Sequence, residues 1–70
     1  MAEETTLRVN GARRTLSGVR TVDDVLRALD IRADHVVVEL DGDIVAPDRF
    51  SEQTVREGAR LEIVHFVGGG

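Results

Sequence analysis

The sequence predicts an α+β domain in which a mixed five-stranded sheet packs on one helix. Three observations favour this class: a hairpin signal near the N-terminus, one short amphipathic helix, and β-branched segments in the second half of the chain. Because 41% of the residues are hydrophobic, the chain can form a core and does not belong to the disordered class. We expect one domain over residues 1–70, with 1–4 as an N-terminal extension and 68–70 as a flexible glycine tail.

The first predicted element is a β-hairpin centred on Asn10-Gly11. Apolar and polar residues alternate over 5–10, and residues 13–16 can return antiparallel. Asn-Gly is typical of a two-residue hairpin turn because both central residues take a positive φ. Ser17-Gly18 then ends the second strand.

A helix is predicted over residues 22–30. Thr21 is a suitable N-cap, and the carboxylates of Asp23 and Asp24 would lie in the first turn, where they interact favourably with the helix dipole. Apolar residues at positions i, i+3, i+4 and i+7 form one stripe that a sheet must cover: Val22, Val25, Leu26 and Leu29.

Three further strands are predicted after the helix, at 36–40, 44–46 and 60–67. A turn at 41–43 and an irregular or 3₁₀ segment at 48–53 separate them, and Phe50 can fill the core. The helix after the hairpin supplies the crossover that parallel strands need. The last strand should therefore lie parallel to the first, in the middle of the sheet, which is the β-grasp or ubiquitin-like arrangement.

Charge and composition exclude several functions. The formal net charge of −4 argues against binding to phosphate backbones and favours an acidic protein that docks on basic partners. The chain has no cysteine and therefore neither a disulfide nor a thiolate nucleophile. No apolar run is long enough to cross a membrane, and the start of the chain is acidic where a signal peptide would be basic. We expect a cytoplasmic protein that binds no nucleic acid and no membrane.

The sequence offers no candidate catalytic residue, metal ligand or cofactor site. The two histidines, His35 and His65, are far apart in the sequence, and helix capping and turn formation explain the neighbouring carboxylates. We therefore do not expect an enzyme.

The candidate chemistry lies in the terminal glycines. Because Gly68 and Gly69 have no Cβ atoms, they can enter a narrow channel of a partner. The α-carboxylate of Gly70 is an anion at neutral pH and reacts only after a partner has activated it as an acyl phosphate or adenylate. The alternative is a flexible tail without a function.

The last strand offers a candidate docking surface. Period-two alternation directs Leu61 and Ile63 toward the helix and places Val64 and Phe66 on the opposite face. Exposed apolar groups next to the tail are typical of an interaction site. The alternative is that Phe66 folds back over the edge of the core.

These features resemble the small sulfur carriers of the ubiquitin-like superfold, and among them the carriers of thiamine biosynthesis. The resemblance covers nearly the whole chain and rests on five segments: 9–11, 21–26, 38–47, 57–64 and 66–70. The last of these segments is the most specific. The chain departs from the family at Ala46, which separates Val45 from Pro47, and at residues 3–6, which lengthen the N-terminus.

The resemblance implies a defined chemistry. A ThiF-like adenylyltransferase would use ATP to convert the Gly70 carboxylate to an acyl adenylate, and sulfur from a persulfide donor would displace AMP to give a thiocarboxylate. A ThiG-like thiazole synthase would then take the sulfur into the thiazole ring. The carrier would be a monomer when free and a substrate of these enzymes. Three other functions stay open: a sulfur carrier for molybdopterin, cysteine or tRNA thiolation, a noncovalent ubiquitin-like interaction module, and a covalent protein modifier.

Overall fold

The computed structural model describes residues 3–66. In chain order its elements are β1 (Glu4–Val9), β2 (Ala12–Ser17), α1 (Val22–Ala28), a 3₁₀ turn (Ala33–His35), β3 (Val36–Leu40), β4 (Asp43–Val45), a second 3₁₀ turn (Pro47–Arg49) and β5 (Arg60–His65). The strands form one mixed sheet in the order β2-β1-β5-β3-β4. Only the neighbours β1 and β5 are parallel within this described sheet. The predicted fold class and the central position of the last strand are confirmed.

The hairpin forms as predicted and starts one residue earlier. Asn10 and Gly11 have φ angles of 51° and 83°, as the two-residue turn requires. Glu4, which was expected in the N-terminal extension, is the first residue of β1 because it pairs with Ser17 at the end of β2.

The predicted cap starts α1. The Oγ1 atom of Thr21 accepts the Asp24 backbone N–H at 3.2 Å. In return, the Asp24 carboxylate accepts the backbone N–H groups of Thr21 at 3.1 Å and of Arg20 at 2.9 Å. This is a capping box. Hydrogen bonds from these N–H groups, that of Arg20 first, lower the pKa of Asp24 below its ordinary value.

The helix ends at Ala28 and not, as predicted, at Asp30. Asp30 has a φ angle of 58°, which a right-handed helix does not permit. The Asp30 N–H donates to the carbonyl of Arg27 at 3.1 Å, and the Ile31 N–H donates to that of Leu26 at 2.8 Å. This Schellman arrangement satisfies the last carbonyls and stops the helix.

The core lies between α1 and one face of the sheet. Its buried side chains are Leu7, Val19, Val22, Val25, Leu26, Val36, Val38, Val45, Phe50, Val55, Ala59, Leu61 and Ile63. The helix stripe is confirmed, with Leu29 packed partly buried against the same cluster. Phe50 fills the core as predicted.

The later strands differ from the predictions only near their ends. β3 has the predicted bounds, whereas β4 begins at Asp43, which pairs with Leu40 across the turn. β4 ends at Val45 and not, as predicted, at residue 46. β5 ends at His65, and the expected last residue, Val67, lies outside the described residues. The 3₁₀ turn before β3 was not predicted.

Candidate docking surface

β5 carries the predicted docking residues on the outer face of the sheet, which α1 does not cover. Leu61 and Ile63 are buried, whereas Val64 is 58% exposed and Phe66, just after the strand, is 48% exposed. The predicted alternation is therefore confirmed, and Phe66 does not belong to the buried core. That Val64 and Phe66 dock on a partner stays a prediction. The predicted tail residues Gly68, Gly69 and Gly70 lie outside the described residues.

The apolar part of this face extends from β5 onto β3 and β4. Val37 lies directly opposite Val64 in the β3–β5 pairing and is 42% exposed. Ile44 on β4 is 72% exposed and lies opposite Glu39, the next residue of β3 on the same face. We call Val37, Ile44, Val64 and Phe66 the apolar patch. Among residues 3–66 they are the large hydrophobic side chains that are exposed.

The sequence contained a signal for one of the patch residues that we did not predict, Val37. A strand with several consecutive apolar residues must place some of them on its second face, because side chains alternate. Residues 36–38 are all valine, and with Val36 and Val38 buried, Val37 had to point outward. The position of Ile44 beside this valine depended on the strand register, which the sequence did not give.

The side chain of Asn10 fixes β5 close to its end. Its Nδ2 donates to the Ile63 carbonyl at 3.0 Å, and its Oδ1 accepts the Ile63 N–H at 2.7 Å. The Asn10 backbone N–H also donates to the Leu61 carbonyl at 2.9 Å. The side-chain amide thus extends the parallel β1–β5 pairing by one step after β1 has turned away. The sequence assigned Asn10 to the turn alone.

The β3–β4 turn holds the other edge of β5 at its start. Asp41 has a φ angle of 51°, and its Oδ1 accepts the Arg60 N–H at 2.9 Å. Its backbone N–H donates to the Arg60 carbonyl at 2.8 Å. Each of these two turns therefore fixes one end of the strand that leads to the apolar patch.

Charged side chains on the same face are grouped by sign. Arg8 lies opposite Arg13 in the β1–β2 pairing and beside Arg60 in the β1–β5 pairing. We call these three residues the basic row. Glu39 lies opposite Glu62 in the β3–β5 pairing, and we call them the acidic pair.

The described residues form no candidate metal site, and the hollows between them are open to solvent. Within residues 3–66, no group of three or more His, Cys, Asp or Glu side chains could hold a metal ion. The hollow beside β4, of about 450 Å³, is open to solvent, and its lining includes Ile44 and Arg49. No helix in the described part of the chain is long and apolar enough to span a membrane.

Comparison with protein families and known sequences gives consistent matches. Residues 7–70 match the sequence profile of the ThiS family. A thiazole synthase of Paramagnetospirillum magneticum (strain ATCC 700264 / AMB-1) is 38% identical over 62 residues, which are 89% of this chain and 19% of that protein. The chain thus spans less than a quarter of that relative's length. The sulfur carrier protein ThiS of Bacillus subtilis (strain 168) is 36% identical over 50 residues, which are 71% of this chain and 76% of that protein.

Two solved structures share the fold. The crystal structure of the thiamine biosynthesis protein (ThiS) from Geobacter metallireducens superposes with a TM-score of 0.79 at 36% identity, and the match covers 94% of this chain and all of that one. The NMR solution structure of a thiamine biosynthesis protein from Geobacter metallireducens gives a TM-score of 0.75 at 36% identity, with 94% of this chain and 88% of that one covered. Both neighbours agree with the β-grasp arrangement of the five strands and the helix.

Proposed function

The chain belongs to the ThiS family, and we propose that it is a sulfur carrier in thiamine biosynthesis whose reactive group is the carboxylate of Gly70. The observation that carries the proposal is the family match, which runs from residue 7 through the three glycines to residue 70. The similarity to a thiazole synthase favours thiazole formation over molybdopterin, cysteine or tRNA thiolation as the destination of the sulfur.

The proposed chemistry needs an activating partner. A carboxylate is a poor electrophile, and at neutral pH an α-carboxyl group with a pKa of about 3.3–3.7 is ionised. A ThiF-like adenylyltransferase would join the Gly70 carboxylate to the α-phosphorus of ATP and release pyrophosphate. A persulfide donor would then displace AMP from the acyl carbon, and a second thiol would cleave the S–S bond to release the thiocarboxylate.

In this scheme the carrier presents a group and the partners catalyse. In the scheme ATP is the substrate of the adenylyltransferase, and no step requires a cofactor bound to the carrier. A ThiG-like thiazole synthase would accept the sulfur. Gly68 and Gly69 would enter the active sites of both enzymes, while Val64 and Phe66 would dock on their surfaces.

Docking has to offset the cost of ordering the tail. Fixing three glycine residues costs about 3–6 kcal/mol, at about 1–2 kcal/mol for each residue. Val64 and Phe66 are about half exposed, so burying the remainder of both yields about 1.5–3 kcal/mol. Burial of these two side chains alone therefore does not offset the cost of ordering the tail. A productive complex must therefore use more of the outer face than these two residues.

Intact-mass spectrometry tests the proposed function. The chain is incubated with a ThiF-type adenylyltransferase from the same organism, ATP and a persulfide donor. We expect a product heavier by the difference between sulfur and oxygen. A variant with one residue appended after Gly70 is the control and should gain no mass. An unchanged wild type, or an equal gain in the control, would refute the carboxylate as the carrier group.

A further inference from the structure

The outer face of the sheet is divided into bands that run across the strands. Along β5 the outward residues are Arg60, Glu62 and Val64, in that order. Each has a neighbour of the same kind on an adjacent strand: Arg8 and then Arg13 beside Arg60, Glu39 beside Glu62, and Val37 beside Val64. There are two exceptions: Ile44 lies opposite Glu39 on β4, and Asp41 of the β3–β4 turn lies on the other side of Arg60. The face thus presents a basic, an acidic and an apolar band in sequence, and the apolar band is the one nearest the tail.

The opposition of like charges does not stabilise the free domain. Like charges directly opposite each other on neighbouring strands destabilise a sheet. The ion pairs formed among the described residues involve other arginines, Arg27, Arg32 and Arg49. The carboxylate of Glu57 borders the hollow beside Arg8 and Arg13, but its Oε1 accepts the backbone N–H of Thr6 at 2.9 Å. Within residues 3–66, the basic row is left without an ion pair.

The charges of the bands determine which partner surface is complementary to them. We propose that the basic row and the acidic pair form the electrostatic part of the docking surface for the adenylyltransferase, an inference that rests on the proposed function. The enzyme then places carboxylates over the basic row, a cationic side chain over Glu39 and Glu62, and apolar groups over the apolar patch. This refines the expectation from net charge, because the partner surface needs an acidic region as well as a basic one.

The spacing of the bands makes the docking directional. Neighbouring strands lie about 4.8 Å apart, so the basic row spans about 10 Å across β2, β1 and β5. Successive outward residues on β5 are about 6.7 Å apart along the strand. If the enzyme surface were rotated by half a turn, its acidic groups would face the apolar patch and lose their partners. Only one orientation matches all three bands, and in it the end of β5 faces the same part of the enzyme surface in every complex.

The test is a charge reversal at the centre of the basic row with a matched control on the opposite face. Arg8→Glu places a carboxylate between the side chains of Arg13 and Arg60 and removes the exposed hydrogen bond from Nη1 of Arg8 to the Gly11 carbonyl at 3.3 Å. These two effects oppose each other, so the free domain should melt close to the wild-type temperature. Arg14→Glu changes the net charge equally, but Arg14 is opposite Leu7 on the other face of the sheet. The KM and kcat for the carrier are measured in the ATP–pyrophosphate exchange catalysed by the ThiF-type enzyme.

We expect Arg8→Glu to raise KM about tenfold with little change in kcat, and Arg14→Glu to change KM by less than about twofold. The effect of Arg8→Glu should shrink in 1 M salt, where the screening length is about 3 Å. Equal KM values for the two variants would overturn the proposal. Should Arg8→Glu fail to fold, Glu39→Arg decides instead, with the same expected rise in KM. A wild type without any exchange activity would refute the proposed function itself.

Discussion

Replacement of Asn10 by glycine measures how firmly the turn holds β5. The substitution keeps a residue that tolerates the φ angle of 51° and removes both side-chain hydrogen bonds to Ile63. Each such bond contributes about 0.5–1.5 kcal/mol net, so the pair contributes about 1–3 kcal/mol. Glycine relieves strain at a positive φ but increases the entropy of the unfolded chain, and these two effects largely offset each other.

The expected loss in the free energy of unfolding is large for a domain of this size. Seventy residues at about 0.05–0.15 kcal/mol each give a free energy of unfolding of about 3.5–10 kcal/mol. Asn10→Gly should therefore fold and yet lose a substantial fraction of its stability. With a urea m-value of about 1 kcal/mol/M, the unfolding midpoint should fall by about 1–3 M. Circular dichroism is the appropriate probe because the chain has neither tryptophan nor tyrosine.

Two other residues with a positive φ serve as controls. Asp41 makes one side-chain bond to β5, so Asp41→Gly should cost about 0.5–1.5 kcal/mol. Asp30 has a φ angle of 58° and no side-chain hydrogen bond within residues 3–66, so Asp30→Gly should change stability by less than about 0.5 kcal/mol. If Asn10→Gly costs no more than Asp30→Gly, the side-chain amide does not hold β5 and the reasoning is wrong. Hydrogen exchange at the Ile63 amide should accelerate in Asn10→Gly alone.

Three further predictions concern the patch, the tail and the helix cap. Phe66→Ala should weaken binding to the adenylyltransferase about tenfold by calorimetry, and unchanged affinity would remove Phe66 from the docking surface. The free energy of unfolding should fall by at most about 1.5 kcal/mol, since Phe66 is 48% exposed in the free domain. Gly69→Ala should slow formation of the AMP adduct, because the added methyl group would meet the channel wall, and equal rates would contradict the narrow-channel argument. The lowered pKa of Asp24 means that its capping bonds stabilise the fold above its unfolded pKa and are lost as the pH falls through its folded pKa. Asp24→Asn should accordingly reduce the loss of stability between neutral and acid pH in urea titrations, and an unchanged pH profile would show that the cap does not contribute.

Local patterns were sufficient to predict the helix, the five strands and their order along the chain. Asn10-Gly11 specified the turn, and Thr21 with the stripe that follows specified the helix start and its buried face. The alternation in β5 placed Leu61 inside and Val64 outside. Each of these inferences uses residues within one helical turn or one strand, where the backbone geometry links sequence to direction.

Features that depend on the pairing between distant segments could not be predicted. The bond from Asn10 to Ile63 joins residues 53 positions apart, and the opposition of Glu39 and Glu62 exists only in the observed β3–β5 register. The net charge of −4 also concealed the local grouping of arginines. A sum over the chain contains no information about which side chains share a face.

The central position of β5 has a consequence for how the protein is made. β5 follows every other described element along the chain, yet both of its neighbours, β1 and β3, need it to complete their pairing. While the ribosome is still synthesising residues 60–65, the two hairpins can form, but each keeps an open edge that invites pairing with other chains. The joined sheet can arise only after β5 has been released. A chain therefore displays the complete banded face only after residues 60–65 have been synthesised, and fragments that end before β5 do not display it.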